Sequence, residues 1–165
     1  MTNTKNKEIE RKYLVDLNKW SPENKGTHIL QFYLSDKPTV RVRIYGIQGF
    51  ITIKGQTEGV SRAEFEYEIP VDDALDMIKL AIYIPIEKTR YDVVYNDQLF
   101  TVDVFEGKNE GLVVAEIELD SEDQKIDLPD WITEEVSYDS NYYNSNLSQN
   151  PFTEWNRSGF KFTHK

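Results

Sequence analysis

Glu8-Ile9-Glu10-Arg11-Lys12 sets two carboxylates and an amine at alternate positions near the start of the chain. In a strand, successive side chains point to opposite faces, so Glu8, Glu10 and Lys12 share one face while Ile9 and Tyr13 take the other. The arrangement recurs downstream with the charges sorted by sign. The basic sets are Arg41 with Arg43, then Lys54, then Lys88 with Arg90. The acidic sets are Glu64 with Glu66, then Asp103, then Glu116 with Glu118. An antiparallel sheet with one apolar face and one face of both signs has two readings. It is either a wet surface laced by cross-strand ion pairs or the wall of a site for a metal-bound polyanion.

The residue types suit the second reading. Arginine forks match phosphate oxygens in bidentate fashion, and lysine acts as a compact, mobile charge. Glu8/Glu10, Glu64/Glu66 and Glu116/Glu118 form three Glu-x-Glu pairs, whose like charges repel and repel more when enclosed. A hard divalent cation relieves that repulsion, since Mg²⁺ takes oxygen ligands and bridges carboxylates to substrate phosphates. The two histidines, His28 and His164, show no ligand spacing and read as ordinary surface residues. No Gly-x-Ser-x-Gly, Walker-type or dinucleotide-binding glycine motif occurs, and Gly46-Ile47-Gln48-Gly49 reads as a hairpin loop. If the chain is an enzyme, its nucleophile is water.

Composition narrows the classes. The 165 residues suit a single domain over 1–165, and 39% hydrophobic with 13% aromatic content argues for a folded globule. A formal charge of −10 disfavours long-range attraction to nucleic acid or an anionic membrane. It leaves room for a small polyanion held by clustered cations. The absence of cysteine excludes disulfides, thiolate ligands and cysteine nucleophiles. Met1 to Lys7 lacks the apolar core of a signal peptide, and no apolar run is long enough to span a bilayer, so the cytoplasm is the expected compartment.

Alternation predicts strands at Lys7–Val15, Thr27–Leu34, Thr39–Tyr45, Phe50–Lys54, Arg62–Ile69, Ile84–Tyr95, Leu99–Glu106 and Leu112–Leu119. Turn residues separate them, including Asn96-Asp97. Val71–Ala81 changes to a helical period after Pro70, and Asp139–Ser148 and Phe152–Gly159 suit short helices. Eight antiparallel strands joined by short turns predict a mainly β (α+β) fold, a closed eight-stranded barrel without free edges. The faces bearing Val40, Val42 and Ile44, or Phe65, Tyr67 and Ile69, are too apolar to be bare. Covering them with the 71–81 helix and the C-terminal segments turns the charged faces into the lumen. Small barrels more often fill their interior with apolar side chains.

Glu8-Ile9-Glu10-Arg11-Lys12 resembles the E-x-E-x-K signature of the CYTH superfamily, the triphosphate tunnel metalloenzymes. Thr39-Val40-Arg41-Val42-Arg43, Thr52-Ile53-Lys54-Gly55, Ser61 to Pro70, Lys88-Thr89-Arg90-Tyr91 and Ala115-Glu116-Ile117-Glu118 follow in the order of short bacterial members. The resemblance implies an eight-stranded tunnel with a charged lumen that binds a triphosphate, with Mg²⁺ or Mn²⁺ held by glutamates. Carried over by position, Glu8, Glu10, Asp103, Glu116 and Glu118 are the metal candidates, and Lys12, Arg41, Arg43, Lys54, Lys88 and Arg90 the phosphate candidates. Glu8, Glu10 and Lys12 also enter the catalytic set. Tyr33, in Gln31-Phe32-Tyr33-Leu34, matches a tyrosine proposed as a proton acceptor, a role that requires nearby cations to lower its pKa from near 10. Phe32 replaces an expected glycine, and Asn141 stands where relatives often carry a base, which bears on rate or substrate preference.

The expectation is therefore a metal-dependent hydrolase of inorganic triphosphate, acting as monomer or homodimer. Adenylyl cyclase or thiamine triphosphatase activity on the same fold is the alternative, and a non-catalytic polyphosphate-binding module is the rival from another class.

Overall fold

The computed structural model describes residues 7–155. Its strands are β1 (Lys7–Val15), β2 (Thr27–Asp36), β3 (Thr39–Tyr45), β4 (Gln48–Lys54), β5 (Ser61–Ile69), β6 (Ile86–Tyr95), β7 (Gln98–Phe105), β8 (Val113–Glu118) and β9 (Ile132–Glu135). Two short α-helices are α1 (Val71–Asp76) and α2 (Asn144–Leu147). The order across the sheet is β5-β4-β3-β2-β6-β7-β8-β1-β9. Eight strands match the predicted set, with ends displaced by a residue or two. The ninth, β9, was not expected.

β5 pairs back onto β1 and closes the ring through Lys7↔Ala63, Glu8↔Arg62 and Ile9↔Ser61. Farther along the same edge of β1, β9 takes over, pairing with Tyr13 and Val15, and the Val136 N–H donates to the Lys12 carbonyl at 2.8 Å. The hairpin between β6 and β7 turns on Asn96 and Asp97, with φ of 51° and 61°. Positive φ at both central residues matches the right-handed strand twist, and Asn and Asp tolerate it.

The barrel is inside out, as alternation predicts. Outward side chains of β2, β3 and β4, including Phe32, Val42 and Ile44, pack with Ala74 of α1. Phe32, in place of the expected glycine, is fully buried in this layer. The predicted helix over 71–81 divides into α1 and a 3-10 turn at Met77–Leu80. The outward face of β1, β7 and β8 is covered by connecting segments that bring Trp20 and Trp131 against Ile9, Phe100, Ala115 and Ile117.

Two expectations about the covering layer are corrected. Phe65 and Tyr67 point outward but stay 39% and 58% exposed, because α1 covers the far end of β5 only near Ile69. Among the described residues, the C-terminal segment covers an outer face only near Trp131 and Ile132. Its Leu147 and Trp155 pack with Tyr33, Ile86, Phe105 and Val114, on the lumen side of the strands, and so plug one end of the barrel with apolar groups. The segment predicted as a helix over 139–148 is a 3-10 turn at Ser140–Tyr142 followed by α2. The one predicted over 152–159 is a 3-10 turn at Phe152–Glu154, with the rest outside the described residues. No helix among the described residues is long and apolar enough to cross a membrane.

Candidate active site

Above the plug lies a cavity of about 470 Å³, lined by the alternate residues singled out from sequence. Glu8, Glu10 and Lys12 of β1 face it, with Arg41 and Arg43 of β3, Lys54 of β4, Lys88 and Arg90 of β6, and Glu116 and Glu118 of β8. Tyr33 of β2 joins them where the cavity meets the apolar plug. Cations therefore cluster on β3, β4 and β6, and acids on β1 and β8 and on β5, where Glu64 and Glu66 also line the cavity. The wet-surface reading fails for most of these groups: Lys12, Arg41, Lys54 and Lys88 are all buried.

On the cationic side, the Arg41 Nη2 donates to Thr52 Oγ1 at 3.2 Å, and Thr52 Oγ1 donates to Glu66 Oε1 at 2.7 Å. Burial and the like charges of Arg41 and Arg90 push Arg43 down to about 9. Burial lowers Lys54, with Arg41 adding repulsion, although Glu8 accepts from its Nζ at 3.1 Å. Lys88 contacts Asp103 Oδ2 at 2.7 Å and donates to Asn144 Oδ1 at 3.0 Å. Burial still pushes it down to about 7.

The acids divide into two states. Burial raises Glu8, but Lys54, a hydrogen bond shared with Glu10, and Arg62 outweigh it and hold its carboxyl well below the ordinary range. Glu116 is likewise lowered, burial being outweighed mainly by Lys12, whose Nζ lies 3.1 Å from Glu116 Oε2. Glu10 goes the other way: burial, then Glu116 and Glu8, raise it well above the usual value. Glu118 is also raised, by burial and then by Glu8, Glu64 and Glu116. Negative charge on this wall thus exceeds what the lysines neutralise. Such a surplus of oxygen donors fits a hard divalent cation on Glu8, Glu10, Glu116 and Glu118.

Asp103, expected among the metal ligands, is paired with cations in this structure. Arg90 grips both its oxygens, Nε to Oδ1 at 2.7 Å and Nη2 to Oδ2 at 2.8 Å. With Lys88 beside Oδ2, these contacts overcome burial and keep the carboxyl far below the ordinary range. Asp103 serves to anchor the cationic wall. Among the described residues, the His and carboxylate donors that converge within 4.8 Å are His28, Glu87 and Glu106, and they lie outside the cavity. His28 is exposed, as expected; His164 lies outside the described residues.

Tyr33, expected as a proton acceptor, is buried where the cavity meets the plug. Burial raises its pKa, and the pull of Arg41, Arg62, Lys12 and Arg43 does not reverse it. The plug contributes groups that sequence reasoning missed: Lys12 donates to the Tyr142 carbonyl at 3.3 Å and lies 5.8 Å from the Tyr143 ring centroid, and Asn144 meets Lys88. The Asn-rich composition was their only signal. Asn141 donates through its backbone N–H to Asp139 Oδ1 at 3.0 Å, opening the 3-10 turn that leads into the plug.

Gln31, quoted above only within its block, was given no role. It is fully buried on the lumen side of β2, and neither its Nε2 nor its Oε1 has a partner. Arg41 Nε and Arg43 Nε are also buried and unpaired. Each such group costs about 1–3 kcal/mol if nothing satisfies it.

The matches to known proteins agree with this geometry. The CYTH domain model covers residues 6–151. The chain is 44% identical over 150 residues to the inorganic triphosphatase of Acetivibrio thermocellus, across 88% of this chain and 96% of that protein. It is 37% identical over 149 residues to the inorganic triphosphatase of Nitrosomonas europaea, across 86% and 96% of the two chains. The crystal structure of an inorganic triphosphatase superposes with a TM-score of 0.62 at 34% identity, covering 86% of this chain and 97% of the other. With the closed eight-stranded tunnel and its sorted charges already in place, this chain belongs to the CYTH domain family.

Proposed function

We propose that the protein hydrolyses inorganic triphosphate in this tunnel, with Mg²⁺ or Mn²⁺ as cofactor. The observation that carries it is the division of the lumen into a cationic wall on β3, β4 and β6 and an acidic wall on β1, β8 and β5, above a plugged end. A short bare polyanion fits between them. The names of the two relatives and of the solved structure support the same substrate.

Arg41, Arg43, Lys54 and Arg90 hold the phosphate oxygens, their positive charge offsetting that of the anion as it is transferred. Lys12 and Lys88 neutralise charge that grows on the leaving phosphate. Tyr33, kept protonated, donates a hydrogen bond to an oxygen at the plugged end. Glu8, Glu10, Glu116 and Glu118 hold the divalent ion, which when bound supplies charge neutralisation and orientation of the attacking water. The water oxygen bonds to the terminal phosphorus as the bond to the bridging oxygen breaks. The proton that the water sheds leaves with the phosphate product or passes to bulk water. We assign the enzyme to the cytoplasm, as monomer or homodimer, acting on a small molecule and on neither nucleic acid nor membrane.

The test is phosphate release from triphosphate, ATP, thiamine triphosphate and pyrophosphate, each with Mg²⁺ or Mn²⁺. Orthophosphate release strongest from triphosphate supports the reading. Cyclic AMP as main product from ATP points to a cyclase, and tight binding without turnover points to a binding module.

A further inference from the structure

The two lysines placed at the leaving phosphate are held in the same way. Lys12 Nζ, on β1, lies 3.1 Å from Glu116 Oε2 and donates to the Tyr142 carbonyl at 3.3 Å. Lys88 Nζ, on β6, lies 2.7 Å from Asp103 Oδ2 and donates to Asn144 Oδ1 at 3.0 Å. Each ammonium thus spans one carboxylate of the barrel and one neutral oxygen of the plug. For Lys12 the plug oxygen is backbone, which any sequence supplies. For Lys88 it is a side chain, so its type is set by the sequence.

Asn144 is the first residue of α2 and lines the cavity together with Lys88. Lys88 is buried, and among the described residues its oxygen partners are Asp103 and Asn144. An ammonium has three donors and no acceptor. Two are spoken for, which leaves the third for a ligand in the cavity. A carboxylate in place of the Asn144 amide would grip the ammonium harder, since hydrogen bonds between ionised partners are the stronger kind. It would also bring a second negative charge beside that of Asp103, cancel the charge Lys88 offers, and face the incoming polyanion. The amide fixes the long, flexible lysine without that cancellation. A plug that needed only to be tied to the barrel would be tied better by aspartate.

We propose that Asn144 is a positioning residue for the reaction: its Oδ1 fixes the Lys88 ammonium at the plugged end of the lumen and leaves the positive charge available to the leaving phosphate. This rests on the triphosphate reading above and adds to it a plug residue outside the charged sets.

The experiment compares wild type with Asn144→Asp, which is isosteric and still accepts from Lys88, and with Asn144→Ala, which removes the acceptor. Triphosphate affinity is measured by calorimetry without divalent metal, KM and kcat with Mg²⁺, and the thermal midpoint on the free protein. Asn144→Asp is expected to melt at or above wild type yet bind triphosphate at least about tenfold more weakly. A mere tie between plug and barrel would leave that affinity intact, so binding within twofold of wild type overturns the proposal. Asn144→Ala is expected to lose at least about tenfold in kcat with KM changed by less than about threefold. A kcat within twofold of wild type would show that Lys88 needs no second anchor, and would equally overturn it. Should either variant fail to fold, Asn144→Ser, uncharged and too short to reach Lys88, decides by the same kcat criterion. Absence of triphosphate binding and turnover in the wild-type protein sinks the triphosphate reading and this inference together, an outcome distinct from a normal wild type with unaffected Asn144 variants.

Discussion

Glu10 on β1 lies directly opposite Glu118 on β8, so two carboxylates form one cross-strand pair. Like charges so placed destabilise a sheet, and both carboxyls are pushed up, Glu10 the more deeply buried of the two. Burial alone contributes, but the Coulombic part comes from neighbouring acids of the same wall. The pairing is a local debt of positive charge.

That debt predicts coupling between metal and protons. Because Glu10 is raised above its unfolded value, the stability it contributes is present at acidic pH and lost as pH rises through its folded pKa. Metal binding must displace its proton, so Mn²⁺ affinity should increase with pH over the same interval, with proton release visible as buffer-dependent heat. Glu10→Gln should weaken Mn²⁺ binding by at least about tenfold and flatten this dependence. Unchanged affinity would remove Glu10 from the ligand set.

Glu116→Gln tests the neighbouring position by activity. A chelator should abolish turnover, and Mg²⁺ or Mn²⁺ should restore it. The variant should retain no more than about a tenth of wild-type activity at equal metal. Full activity would take Glu116 out of the site.

Asp103 gives a prediction of opposite pH sign. Its folded pKa is depressed, so its contribution is present above the ordinary carboxylate value near 4 and lost as pH falls below it. Asp103→Asn strands two buried cations and should cost about 3–5 kcal/mol, measured by urea unfolding at pH 7. The deficit should shrink in acid. An equal deficit at pH 7 and pH 3 would show that the pair does not behave as an ion pair.

Arg41→Ala or Arg43→Ala should weaken triphosphate binding by about 1.5–3 kcal/mol while changing unfolding little, since a lumen guanidinium adds little to the outer core. Affinity should also fall as pH rises past about 7 and again past about 9, where Lys88 and Arg43 lose their protons. Titration calorimetry across that range decides it, and a flat profile to pH 10 would count against both cations.

Substrate choice follows from the plug. Trp155 is buried among Leu147, Phe105 and Leu112 at the closed end, which leaves the lumen with charge complementarity and no identified purine reader. kcat/KM for triphosphate should exceed that for ATP by at least about tenfold, or 1.4 kcal/mol of transition-state binding. Parity between the two would require an organic-moiety site.

The eight barrel strands and the lumen residues were legible because alternation is a local property: Arg41 and Arg43 show their common face whatever they pair with. The partner of Asp103 was not legible, because it depends on β6–β7 register, which sets Arg90 opposite it. Strand β9 escaped notice because its four residues, Ile132 to Glu135, are too short and too polar to show a period. The anchors of the plug, Tyr142, Leu147, Phe152 and Trp155, escaped because they are scattered through an Asn-rich stretch and gather only in three dimensions. Gln31, quoted only as the first residue of its block, shows nothing of its own until its burial is known.

The inverted barrel also constrains how its strands can pair. In a sheet with one wet face, a slip of one residue exposes apolar groups, and water receives the displaced polar ones at little cost. Here the same slip would drive Arg41 and Arg43 under α1 and set Phe32 and Val42 among the glutamates, so both faces reject it at once. Each strand is thus held in step from two sides. The array of charges that binds the substrate is also a safeguard against misalignment during folding.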